Sequence, residues 1–114
     1  LIAGVDLTHE PPEVTNILID LAQRETMNES ARFARRLVDE LKSVTKLLRN
    51  SHRFAGFAVL KAPDVPSVLI EMGFLSNAQD ERALRRPEYR ARFARAVRQA
   101  VDRYFNRVEQ ARRR

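Results

Sequence analysis

The sequence predicts an α/β fold, a central sheet flanked by helices, of which residues 1–114 hold only a portion. About two strands and three to four helices are expected. Three observations predict this. Val68, Leu69 and Ile70 form a continuous apolar run of β-formers, which reads as a strand buried on both faces. Phe57-Ala58-Val59-Leu60 repeats that pattern. Helical periodicity dominates the segments around both runs. Two such strands cannot bury themselves and would leave an open apolar edge, so they belong to a larger sheet. The chain therefore reads as a piece of a domain whose true start is missing.

The second strand candidate sits inside the stretch that organises the chain, Pro66-Ser67-Val68-Leu69-Ile70-Glu71-Met72-Gly73-Phe74-Leu75-Ser76-Asn77. Its apolar run ends abruptly in Glu71. A buried strand has reason to end in a carboxylate where its tip reaches solvent, a partner or a site. Gly73 permits a turn that a side chain would obstruct. Ser76 and Asn77 offer N-caps for a following helix. Strand, carboxylate, turn and helix is the order by which open α/β folds place a functional group at a strand's carboxyl end.

The bulk numbers bound the remaining possibilities. A chain of 114 residues is at most one small domain, and 44% hydrophobic with 32% charged residues is a globular composition. There is no cysteine, which excludes disulfides and thiolate metal sites. No apolar run approaches the ~20 residues that span a bilayer, and no targeting signal is visible. The net charge is +6, with arginine concentrated in the last third up to Arg112-Arg113-Arg114. Such a surface attracts anionic polymers. Its arginines are interleaved with acids and lack an aromatic-rich glycine segment, so a solvated basic face is expected and a nucleic-acid partner is not.

Taken in order, residues 1–9 are extended or loop, punctuated by Pro11 and Pro12. Val14, Ile17, Leu18 and Leu21 then fall at i, i+3, i+4 and i+7, one face of a short amphipathic helix over residues 13–23. Alone it is marginal and needs something to lie on. The simpler reading is a core helix of this domain; the sharper one is a detachable helix whose apolar stripe docks on a partner. Thr26-Met27-Asn28-Glu29 matches a capping box and starts a second helix running to about Leu48, with Ala34, Leu37, Val38, Leu41, Val44 and Leu48 inward. Residues 61–66 are too few for a parallel crossover, which needs about a dozen. The two strands are therefore antiparallel neighbours or unpaired with each other. Asn77 caps a short helix to about Leu84, and Pro87 opens a final helix with Tyr89, Phe93, Val97, Val101, Tyr104, Phe105 and Val108 as its stripe. From Glu109 the chain is a charged tail, expected to fray.

These residues resemble a known family. Residues 66–77, followed by Asp80-Glu81 and Leu84, are similar to the C-terminal signature of zinc-dependent N-acetylmuramoyl-L-alanine amidases. Gly56-Phe57-Ala58-Val59-Leu60-Lys61 and Ser30-Ala31-Arg32-Phe33-Ala34 match the same family. Residues 1–23 resemble the insert of the periplasmic cell-division amidases. The resemblance implies a regulatory insert at 1–25, the C-terminal part of a catalytic domain at 26–108 and a tail at 109–114. It implies a peptidoglycan hydrolase that cleaves the amide between N-acetylmuramic acid and L-alanine of the stem peptide. One zinc ion would be held by two histidines and a glutamate, with Glu71 as general base and then proton donor. The family's His-Gly-Gly and Ser-Ile-His segments are not among these residues, so the resemblance places the zinc ligands upstream of Leu1, and the chain alone is expected to be inactive. His9 and His52 lie outside those motifs and are expected as surface histidines. The insert implies a lid that blocks the zinc until a LytM-type activator binds. Val14, Ile17, Leu18 and Leu21 are its candidate docking stripe, and the blocking carboxylate is either Glu10 or Glu13 or a residue of a helix upstream of Leu1. Phe74 and Asn77 are expected to hold Glu71 in place, Phe74 by packing under the turn and Asn77 by capping a helix. The alternative is a non-catalytic basic or regulatory module that grips cell-wall polymer or nucleic acid.

Overall fold

The computed structural model describes residues 4–46 and 62–113. Three helices order these residues: α1 (Pro12–Leu41), α2 (Ala78–Arg85) and α3 (Pro87–Arg112). The expected α/β sheet does not form in them. Among the described residues no strand forms, and residues 67–74 take neither helix nor strand. Leu69 is 53% exposed, which is incompatible with a strand buried on both faces. The physical reason is that β-propensity measures fit to a neighbouring strand rather than an intrinsic backbone preference. Residues 57–60, the other strand candidate, lie outside the described residues, as do His52 and Leu48.

The described chain divides into two compact units, residues 4–32 with 62–68, and residues 33–46 with 69–113. Helix α1 contributes to both. Where two helices were expected, one runs unbroken for 30 residues. Pro12 takes its first position and Glu13 lies in its first turn, where a carboxylate suits the helix dipole. Gln23, Arg24, Glu25 and Met27 are good helix formers with no glycine or proline among them, so nothing stops the helix at 24–26. Arg32 reinforces this stretch by pairing with Glu29 and approaching Glu25 at 3.9 Å. The helix ends at Leu41 rather than near Leu48. Ser43, Val44 and Thr45 form a turn there, with the amides of Val44 and Thr45 both donating to Leu41 O at 3.0 Å. Ser43 Oγ donates to Glu40 O at 3.3 Å, a local bond that competes with helix continuation.

In the first unit, Thr15, Ile19, Ala22 and Thr26 are half-buried, while Val14, Ile17, Leu18 and Leu21 are exposed. Thr26 is no N-cap. Its hydroxyl donates to Pro63 O at 2.7 Å, and one turn later Ser30 Oγ accepts from the Ser67 amide at 2.9 Å. Two hydroxyls at i and i+4 on one helix face thus hold the segment leading toward Glu71.

The second unit has its own core. Ala34, Leu37 and Leu41 of α1 are buried, with Tyr89, Phe93, Ala96, Ala100 and Tyr104 of α3. Phe33 and Tyr104 meet with ring centroids 5.3 Å apart, and Tyr89 Oη donates to Thr45 Oγ1 at 2.7 Å. Arg103 pairs with Glu40 at 2.6 Å. The expected stripe on α3 is half right. A strict i+4 run from Tyr89 drifts round the helix, whose true period is 3.6 residues. So Ala96 and Ala100 replace Val97 and Val101 in the core, and Phe105 is left 58% exposed. Residues 109–112 continue the helix instead of fraying, and Arg113 approaches Glu109 at 4.0 Å. No described helix is long and apolar enough to cross a membrane.

Candidate functional site

Glu71 lies in the irregular segment between the Ser30 attachment and helix α2, in the second unit. Its carboxylate is exposed and finds no hydrogen-bonding or ionic partner among the described residues. Its neighbours Ile70 and Met72 line a shallow apolar groove with Phe93, Ala94 and Val97 of α3. Arg90 edges this groove while donating to Leu84 O at 2.8 Å.

The turn after Glu71 is closed by the start of α2. Asn77 is the N-cap, with extended backbone (φ −95°, ψ 122°), and its Oδ1 accepts from the Asp80 amide at 3.0 Å. Asp80, three positions on, would reach back to the cap amide in an ordinary capping box. Here the Asn77 amide already donates to Phe74 O at 3.0 Å. Asp80 Oδ2 instead accepts from the Phe74 amide, also at 3.0 Å. Gly73 makes this possible. Its φ is +152°, and a Cβ there would stand 3.2 Å from Asp80 Cβ and Cγ. The cap and the Gly73 turn were visible in the sequence; the Asp80 bond was not, because it depends on the turn's shape. Phe74 does not pack under the turn: it is 54% exposed, and its backbone is what the turn uses.

The other expected site residues fall in the first unit. Glu10 and Glu13 are exposed, as are Val14 (39%), Ile17 (59%), Leu18 (37%) and Leu21 (56%). These four apolar side chains therefore do not form a core. His9 is exposed and follows a local turn in which Asp6 Oδ1 accepts from both the Thr8 hydroxyl and the Thr8 amide, the latter at 2.9 Å. Those two bonds, the hydroxyl first, hold the Asp6 carboxyl below its ordinary value. Among the described residues no group of three or more histidines or carboxylates could hold a metal ion. These residues thus do not fit a zinc centre by themselves.

The family model described as N-acetylmuramoyl-L-alanine amidase matches residues 4–103. The N-acetylmuramoyl-L-alanine amidase AmiC of Escherichia coli O6:H1 is 35% identical over 105 residues, covering 92% of this chain and 25% of the relative. The corresponding figures for the amidase AmiA of Escherichia coli K12 are 34% identity over 105 residues, 92% and 36%. For the amidase AmiC of Neisseria meningitidis serogroup B they are 36% over 93 residues, 82% and 22%. The chain thus spans between 22% and 36% of the length of these relatives. No solved structure matches it.

Proposed function

This chain belongs to the N-acetylmuramoyl-L-alanine amidase family, and on that premise we propose that it is the C-terminal part of a peptidoglycan amidase catalytic domain, with Glu71 as general base. The supporting observation is the turn itself. An exposed carboxylate, free of competing partners among the described residues, is presented two residues before a glycine and a pinned amide.

The reaction proposed is hydrolysis of the amide between the lactyl group of N-acetylmuramic acid and L-alanine. Glu71 takes a proton from water as the water oxygen bonds to the amide carbon. It returns that proton to the alanine nitrogen as the C–N bond breaks, and the second water proton passes from the new lactyl carboxyl to the amine, leaving a carboxylate and an ammonium group. An exposed position suits both halves of this exchange, since water and a polymeric substrate must reach the same oxygen. The family resemblance implies zinc with two histidines and a glutamate as ligands. Because the described residues do not fit that centre, we place its ligands outside them and assign the metal no step.

The domain boundaries follow the same reading, with a regulatory insert at 1–25, catalytic residues at 26–108 and a tail at 109–114. The exposed Val14, Ile17, Leu18 and Leu21 support the docking role, with a LytM-type activator as partner and the periplasm as the compartment. Glu10 and Glu13 are exposed, as a blocking carboxylate must be. A second reading, a basic module for anionic polymer, is favoured by the exposed Arg92, Arg95, Arg98 and Arg107 of α3. Salt-sensitive binding of polyanions by this chain, unaffected by Glu71→Gln, is its distinguishing result.

Mass analysis of digested peptidoglycan tests the main proposal. The full-length enzyme is expected to release stem peptides with free L-alanine amines, and Glu71→Gln to release almost none. Cleavage within the stem or the glycan would reject the reaction class.

A further inference from the structure

We infer that Asp80 is a positioning residue for Glu71, an inference that rests on Glu71 being the general base. The carboxylate of Glu71 has no hydrogen-bond partner of its own among the described residues, so its direction is set by the backbone that carries it. That backbone is held from downstream. The amide of residue 74 donates to Asp80 Oδ2 at 3.0 Å, and its carbonyl accepts from the Asn77 amide at 3.0 Å. Both polar backbone groups of Phe74 are thereby tied to the first turn of α2. Only Met72 and Gly73 separate this clamp from Glu71.

The pairing of Gly73 with Asp80 is specific rather than incidental. A residue with a Cβ at position 73 would meet Asp80 Cβ and Cγ at 3.2 Å and Oδ2 at 3.3 Å, so the close seat of Asp80 depends on glycine. An acid placed in the first turn of α2 only to suit the helix dipole would gain nothing from that seat, and Glu81 is already in the same turn. Asp80 instead spends its acceptor on an amide outside the helix, at the end of the segment that bears Glu71. Small displacements of a reacting group are costly to rate, so a clamp at this distance acts on turnover rather than on substrate affinity.

The test is a variant set in the full-length enzyme, with kcat and KM on labelled peptidoglycan expressed per folded molecule. Asp80→Ala is expected to lower kcat by about 10- to 100-fold with KM little changed. Asp80→Asn, whose amide oxygen can still accept from the Phe74 amide, is expected to recover most of that loss. Asp80→Ser, too short to reach, predicts the same loss as alanine and stands in if Asp80→Ala does not fold. On the residual rate of Glu71→Gln, removing Asp80 is expected to cost nothing further. Wild-type kcat in Asp80→Ala and Asp80→Ser beside an inactive Glu71→Gln would overturn the positioning role and leave Glu71 standing. So would equal losses in the asparagine and alanine variants, or a full Asp80 effect persisting on the Glu71→Gln background. Retained cleavage by Glu71→Gln alone would overturn the general-base assignment, and the role of Asp80 with it.

Discussion

Of the two described glycines, Gly73 is the one whose backbone and surroundings both disfavour a side chain. At its φ of +152° a side chain is strained, and a Cβ 3.2 Å from the Asp80 side chain would push that side chain aside by a few tenths of an ångström. Gly73→Ala is therefore expected to destabilise the second unit by about 1–3 kcal/mol, read from chemical unfolding. Glu88 makes a separate prediction. Its own backbone amide, and then Arg86, whose Nε donates to it at 3.0 Å, hold its carboxyl below the ordinary value of 4.5. A depressed carboxylate contributes stability above its unfolded pKa and loses it as pH falls through the folded value. Unfolding curves of the protein and of Glu88→Gln should therefore differ at neutral pH and converge in acid. A difference that persists in acid would mean that Glu88 acts by packing instead. At this scale the sequence is informative where chemistry is local. Gly73 and Asn77 could be picked out because each changes what the backbone beside it can do, whereas Glu71 stood out only as a carboxylate that ends an apolar run, and its role is a proposal. The acceptor role of Asp80 could not, because it spans six residues of turn.

Among the elements, punctuation was legible and continuity was not. Asn77 caps α2 and Pro87 opens α3 as their side-chain chemistry requires. The Thr26-Met27-Asn28-Glu29 pattern resembles a helix start, yet the hydroxyl of Thr26 is engaged with Pro63 O, 37 residues away. Nothing in local spacing reveals such a partner. The strand expected at 68–70 failed for a related reason: its apolar residues fit a sheet only if a neighbouring strand is present to pair with them. On α3 the core passes through Ala96 and Ala100, small residues that a search for large apolar side chains overlooks. Two predictions belong here. Leu37→Ala removes a side chain that is 4% exposed and should cost about 2–5 kcal/mol in chemical unfolding. Ser30→Ala removes the acceptor for the Ser67 amide and should speed hydrogen exchange at Ser67 without altering the helicity of α1. Unchanged exchange at Ser67 would show that the segment is held by other means.

At the scale of the whole molecule, the family match and the exposed apolar surface are separate observations. Residues 4–103 match an amidase family, and the apolar face at Val14, Ile17, Leu18 and Leu21 is exposed. Ile17→Ser with Leu18→Ser should shift unfolding stability by no more than about 0.5 kcal/mol each, as expected for exposed positions. On the proposed docking role, the same pair should abolish activation of the full-length enzyme. A large loss of stability would instead return this face to a core. The arginines of α3 leave a basic surface on the second unit, and its weight is measured by salt titration of polymer binding. In the proposed reaction, one exposed carboxylate performs the proton transfers. The most direct test is kcat of the full-length enzyme against Glu71→Gln on saturating labelled peptidoglycan, with zinc content measured on the same samples. A general base at position 71 requires equal zinc content and a loss of at least about 100-fold in kcat, the scale of a positioned acid–base group. Equal zinc content with undiminished turnover would contradict it and reduce Glu71 to an exposed residue of a well-made turn.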